Sequence, residues 1–196
     1  MVYANRTITS FDFDYLDTSK VTSFGMMFSA CTKLTSINTA QFNTSSATEL
    51  TGMFDQCHGL TSIDVSGFDV TNVTSTNSMF SSCLYLTDIN MGDFYTPNLK
   101  RAKNMFSKTK ITEIDLSSFD TSQTYDVSSM FSSCTNLRKV DLSNADLSKA
   151  TVTSNMFQSC NAAGLQIFVR DEIAKRKIES STNFPSSTAT VIIGKP

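Results

Sequence analysis

The sequence predicts a solenoid, an α/β repeat in which near-identical coils stack on one another. Three observations predict it. A Met-Phe-x-x-Cys string is written five times, ending at Cys31, Cys57, Cys83, Cys134 and Cys160, and a sixth copy, Met105 to Thr109, has lost its cysteine. The Met-Phe pairs recur at intervals of 26, 26, 26, 25 and 26 residues. After Cys160 the pattern stops and a different kind of segment follows. A fixed period of this size marks one supersecondary unit per copy, which buries its apolar face only by stacking on its neighbours. The expected organisation is a six-coil solenoid over residues 1–162 and a capping unit over 163–196, within one domain.

Each coil opens with an apolar-x-x-apolar-x-apolar stretch: Ile8-Phe11-Phe13, Leu34-Ile37-Thr39, Leu60-Ile63-Val65, Leu86-Ile89-Met91, Ile111-Ile114-Leu116 and Leu137-Val140-Leu142. Its last positions alternate with polar residues, the pattern of a strand that buries one face. Three residues on comes an apolar position, Leu16, Phe42, Phe68, Phe94, Phe119 and the smaller Ala145, expected to point inward. Asp17, Asn43, Asp69, Tyr95, Asp120 and Asp146 follow it. An Asp or Asn with Ser or Thr two residues later hydrogen-bonds its own backbone and turns the chain. Next comes an extended segment (Val21-Thr22, Ala47-Thr48, Val73-Thr74), and then one to two helical turns, such as Asn77 to Cys83, with Met and Phe inward.

Ten of the fifteen phenylalanines fall in two columns, six in Met-Phe and four before Asp, Asn or Tyr. Such aromatic enrichment reads as stacked core. The cysteines occupy one position of the repeat, so neighbours lie ~4.8 Å apart with parallel side-chain vectors. A disulfide needs converging vectors and Cβ atoms ~3.5–4.5 Å apart. Five free, buried thiols acting as small packing groups are expected, and one cysteine per coil without a partnering histidine is not metal-ligand spacing.

Beyond Cys160, Leu165 to Val169 reads as a last strand. Asp171 is the expected N-cap of a helix through Ile173, Ala174 and Ile178, with Lys175-Arg176-Lys177 on its polar side. Phe184-Pro185 breaks that helix, and Ala189 to Ile193 reads as a closing strand. A unit of this kind covers the open apolar end of a stack.

Composition narrows the function classes. The net charge is −2, the pI is near 5.3 and 17% of residues are charged, so nothing draws the whole chain to nucleic acid or to an anionic membrane. No run of 18 apolar residues exists, so no membrane insertion by this segment is expected. The start, Met1 to Arg6, does not read as a signal peptide; a removed leader and an internal piece of a longer protein both fit. Asn5-Arg6-Thr7, Asn43-Thr44-Ser45 and Asn72-Val73-Thr74 match the glycan-acceptor pattern.

Coil four is the irregular one: Tyr95 replaces the turn Asp, Pro97 enters the turn, Thr109 replaces the cysteine, and one residue is missing. It also carries Lys100, Arg101, Lys103, Lys108 and Lys110. A solvated outer face is one reading of these charges. The other is a basic patch for an anionic partner, such as a sulfated glycan or an acidic protein surface, with Tyr85, Tyr95, Lys100, Arg101 and Lys103 as the candidate binding residues. The outward strand positions make two more columns, Asp12, Asn38, Asp64, Asn90, Asp115, Asp141 and Ser10, Ser36, Ser62, Asp88, Glu113, Lys139. Alternating Asp with Asn lessens like-charge repulsion between neighbouring strands. Asp88, Glu113, Asp115 and Asp141 are expected to make one end of this face acidic, but no loop gathers the oxygens of a calcium site.

The string Leu60-Thr61-Ser62-Ile63-Asp64-Val65-Ser66-Gly67-Phe68-Asp69, running on to Met79-Phe80-Ser81-Ser82-Cys83, resembles the repeat of the BspA-like leucine-rich-repeat surface proteins, including those of mycoplasma, lactobacillus and gut-bacterial surface lipoproteins. The resemblance covers all six coils, and residues 165–196 are similar to the tail that ends such arrays. It implies a right-handed leucine-rich-repeat-type solenoid, with a parallel β-sheet on one face and short helices or turns on the other. It further implies an extracellular or cell-surface location and a role in adhesion or protein binding, with no catalytic residues to transfer.

Two functions follow as expectations. The first is a non-catalytic interaction module for an extracellular protein or glycan, acting as a monomer and needing no cofactor. The second is a passive stalk or spacer. An enzyme is not expected: His58, the only histidine, follows Cys57 directly at an exposed turn position, and no triad or phosphate cradle is present.

Overall fold

The computed structural model describes residues 2–11 and 16–196, so the expectations for Asp12 and Phe13 lie outside the described residues. The chain winds as a parallel β-solenoid of about seven turns with a single helix. Each coil contributes one short strand: β1 (Ser10–Phe11), β2 (Ser36–Ile37), β3 (Ser62–Asp64), β4 (Asp88–Asn90), β5 (Glu113–Asp115) and β6 (Lys139–Leu142). β7 (Leu165–Val169), α1 (Glu172–Glu179) and β8 (Ala189–Ile193) then close the stack. Every strand pairing is parallel, and within the coils partners stand one repeat apart, as in Ile63 with Ile89 and Ile114 with Val140. Ile63, Val65, Ile114, Leu116, Val140 and Leu142 are buried, while Ser62, Asp64, Glu113 and Asp115 face out, as the alternation predicts.

The strand face is nevertheless not one sheet. It is cut into β1–β2, β3–β4 and β5–β8. Coil two leaves its strand for a 3-10 turn at Thr39–Gln41, whose Thr39 hydroxyl bonds the Asp64 carbonyl. The second cut falls between β4 and β5, where the repeat is one residue short, so the strand after Thr109 starts out of step with its neighbour. The ladder that does run unbroken is elsewhere: parallel bridges link Ser23, Glu49, Ser75, Arg101, Asp126 and Val152 in turn. These residues directly follow the segments read from the sequence as extended.

The helical turns expected around each Met-Phe are absent, and strings of tight turns stand in their place. In coil three Met79, Ser81 and Cys83 donate their amides three residues back, to Thr76, Ser78 and Phe80. The intervening amides of Thr76, Ser78, Phe80 and Ser82 cross to the carbonyls of Arg101, Lys103, Met105 and Ser107 in the next coil, at 2.8–3.0 Å. Ser78 and Ser82 hold φ of 55° and 57°, and the same two positions of the other coils are also left-handed. A helix would spend every amide inside its own coil. Stacking supplies carbonyls alongside, and type II-like turns with αL at their third residue let alternate amides reach them.

Those turns place Phe28, Phe54, Phe80, Phe106, Phe131 and Phe157 in one fully buried stack, with centroids 5.0–5.8 Å apart and rings within 15° of parallel. The second phenylalanine column packs similarly, Phe42 edge-on to Phe68 at 5.8 Å and Phe94 stacked on Phe119 at 5.6 Å. Leu16 departs from its column: it is 55% exposed, and Phe24 packs against Phe42 at 5.7 Å instead. All five cysteines are free and buried. Cys57, Cys83, Cys134 and Cys160 each point the thiol at a carbonyl of the preceding coil, 3.0–3.2 Å away. Burial raises Cys83 to about 12 and Cys134 to about 11, and pushes Cys57 and Cys160 up as well. The thiols should therefore be inert to a disulfide reagent at pH 8 in the folded protein and react only in urea; rapid native reaction, followed by absorbance of the released thiolate, would contradict the packing.

The turn-forming Asx residues behave as read. Asp69, Asp120 and Asp146 accept from the amides of Thr71, Ser122 and Ser148 at 2.8–3.0 Å. The Thr71 hydroxyl and amide hold the Asp69 carboxyl below its usual range, and Ser66 does the same for Asp64. Asn90 donates its side-chain amide to Asp64 at 3.1 Å, so this Asp/Asn pair is bonded rather than repulsive, whereas further along the column Asp115 stands in register with Asp141. Asp141 departs from the expected exposed acidic end: it is buried, paired with Phe168 in register, and shares a small recess with Pro196.

The cap matches the expectation closely. Asp171 accepts from the Ala174 amide at 2.9 Å and so caps α1. Ala174 and Ile178 are buried, whereas Ile173 is exposed. β7 and β8 extend the sheet of β5 and β6, and Arg170 ties the cap to coil six through Asp146 at 3.3 Å.

Candidate interaction surface

The positive residues of coil four sit where the ladder is continuous. Arg101 is itself a rung between Ser75 and Asp126. Its neighbour Lys100 donates its amide to Thr74 at 2.9 Å, and the Lys100 carbonyl receives the Tyr125 amide at 3.0 Å. Lys103 is held twice by coil three: its amide bonds the Asn77 side chain at 2.9 Å and its carbonyl accepts from Ser78 at 2.8 Å. The side chains of Lys100, Arg101 and Lys103 are exposed, so backbone pinned to neighbouring coils carries these cations outward. Asp126, half-buried, tempers the charge, although its carboxylate is engaged by the Ser128 amide and hydroxyl at 2.9 and 2.6 Å. Lys110 is drawn towards coil five, where its ammonium bonds the Thr135 hydroxyl at 2.9 Å.

The two tyrosines expected beside this patch stand in other places. Tyr85 lines a cleft with Lys33 and His58, and Tyr95 lines a separate groove with Asp120, Asp146 and Arg170. The aromatic next to Lys100 and Arg101 is Tyr125, 41% exposed and one coil on. Sequence reasoning missed it because the short repeat shifts its column: Tyr125 stands 25 residues after Lys100, where the full period would place Asp126. His58, expected as an exposed turn residue, is half-buried with its amide on the Gln56 carbonyl at 2.9 Å.

Among the described residues, no group of three or more His, Cys, Asp or Glu side chains could hold a metal ion, and no helix is long and apolar enough to cross a membrane. The arrangement offers a basic, tyrosine-bearing surface on bridged backbone and two open clefts. No curated protein and no solved structure matches the chain. A family model does, over residues 1–110 and again over 84–183, an overlap that reflects the internal repeat. With nearly the whole solenoid covered, the chain belongs to the family described as Mycoplasma protein of unknown function, DUF285.

Proposed function

We propose that this solenoid is a non-catalytic interaction module, displayed outside a bacterial cell, that binds an anionic partner such as an acidic protein surface or a sulfated glycan. The observation that carries the reading is the exposed Lys100, Arg101, Lys103 and Tyr125 cluster on ladder-fixed backbone. Restrained backbones lower the ordering cost of association, and cations beside an aromatic favour anionic partners. A leucine-rich-repeat-type, BspA-like identity fits the same repeat and supplies the cell-surface and adhesion part of the proposal. The buried, neutral thiols leave the cysteines themselves out of any nucleophilic role. The module is taken to act as a monomer, with the cap occupying the C-terminal end of its stack.

Screening the purified chain on glycan and extracellular-matrix protein arrays tests this. Binding should fall by about tenfold or more when Lys100, Arg101 and Lys103 are changed to Glu, and should weaken in high salt as screening shortens to ~3 Å at 1 M. Binding untouched by the triple change would move the site off coil four. A chain that binds nothing would support the second reading, a stiff spacer, which the unbroken bridge ladder and the phenylalanine stack also favour.

A further inference from the structure

The corner that follows each cysteine turn is notched from coil one to coil three. Lys33, Gly59 and Tyr85 are one position of successive coils, each two residues after its cysteine. The middle residue has no side chain, so a cation and a phenol flank a gap two strand spacings wide, ~10 Å between their backbones. The gap is built into the packing: a Cβ at Gly59 would lie 2.6 Å from the carbonyl oxygen of Leu34. The backbones of Gly59 and Leu34, one turn of the solenoid apart, close on each other there, leaving no room for a side chain, and beside this contact lies an open cleft of about 510 Å³ bordered by Lys33, His58, Gly59, Tyr85 and the threonines Thr35 and Thr61. This volume falls in the usual range for small-molecule sites, ~300–1,000 Å³.

The lining chemistry is one-sided. It comprises an ammonium, an imidazole and hydroxyls, with no carboxylate among the lining residues, and Lys33 has no ion pair among the described residues. The Thr35 hydroxyl donates to the Thr9 carbonyl at 3.0 Å, which leaves its oxygen free to accept. A ligand for such a cleft supplies a negative group and hydroxyls. Tyr85 adds a different requirement. Tyr85 is 65% exposed, and the negative face of its phenol attracts the polarised axial C–H groups on one side of a saturated ring. A sugar ring bearing a carboxylate meets both demands at once; an acidic side chain of a peptide meets only the first.

We propose that the Gly59 notch binds one acidic pyranose unit of a glycan, its ring against Tyr85 and its carboxylate towards Lys33. The site shares no residue with the coil-four cluster of Lys100, Arg101, Lys103 and Tyr125 and does not depend on it.

Saturation-transfer NMR on the full chain tests the proposal with three probes: methyl glucuronide, methyl glucoside and N-acetylglutamate amide. The glucuronide should receive transfer at its ring protons and bind about tenfold or more tightly than the neutral glucoside. Tyr85→Ala and Lys33→Gln, both at exposed positions, should each weaken glucuronide binding by about tenfold or more, with urea midpoints unchanged. Lys100, Arg101 and Lys103 changed together to Glu should leave it as it was, so failure of the coil-four reading registers on a different variant. The proposal is overturned by absent transfer to the glucuronide, by equal binding of glucuronide and glucoside, by preference for the glutamate probe, or by indifference to both single changes.

Discussion

Replacing Phe80 by alanine should cost about 3–5 kcal/mol of folding free energy. Its ring is fully buried between Phe54 and Phe106, 5.8 Å from each and nearly parallel to both. Truncation removes the buried surface, leaves a cavity that rigid neighbouring coils cannot fill, and breaks two aromatic contacts worth ~0.5–1.5 kcal/mol apiece. Because a solenoid's stability is a sum over neighbouring coils, a gap in the middle weakens the interfaces on both sides. Thr61→Ala, on the outward strand face, should cost under about 0.5 kcal/mol. Urea melts of the two variants read this directly: coincident midpoints would mean that inside and outside had been exchanged.

Removing residues 163–196 should have the second large effect. The cap buries Leu165, Ile167, Val169 and Ile178, each fully, and full burial of such a side chain is worth ~1.5–3 kcal/mol. It also seals the phenylalanine stack, with Phe184 edge-on to Phe157 at 6.5 Å, and supplies the Thr182 carbonyl to the Asn155 amide at 3.1 Å. Without it, β6 becomes a bare edge beside exposed apolar surface, a template for pairing with other chains. The truncated protein should aggregate or melt well below the full chain, by size-exclusion chromatography and circular dichroism. A monomeric fragment with an unchanged melt would show that the coils support themselves.

Much of this architecture was legible because it rests on chemistry that repeats. The Asp or Asn turns, the burial of Ile63, Val140 and the Met-Phe columns, the free thiols and the Asp171 cap each follow from side chains at fixed spacing. What escaped depends on backbone pairing between coils. Ser78 and Ser82 carry no signal of left-handed φ, since their identity would suit a helix surface equally well; only the neighbouring coil's carbonyls select the turn string over a helix. Leu16 faces solvent although it is apolar and in the right column, because Phe24 takes the place beside Phe42. The candidate surface was half legible: the Lys100, Arg101 and Lys103 cluster is local in sequence, but its aromatic neighbour depended on a register that one missing residue changed. The Gly59 cleft was invisible, because a gap shows only once the column around it is assembled.

The crossing amides of the turn strings all run one way. Phe28 donates to Met53, Phe54 to Met79, Phe80 to Met105, Phe106 to Met130 and Phe131 to Met156. Their peptide dipoles, ~3.5 D each, therefore add along the solenoid axis, opposite in sense to an α-helix: partial positive charge collects at the C-terminal end of this face and negative charge at the other. At the negative end Val2 and Ala4 answer the Met27 and Ser29 carbonyls with their own N–H groups. A stack with such polarity can be lengthened only head to tail. Here the other end is met within the chain as well, the cap's Thr182 carbonyl accepting from the Asn155 amide, so the cap rather than a second copy takes up that end of the column.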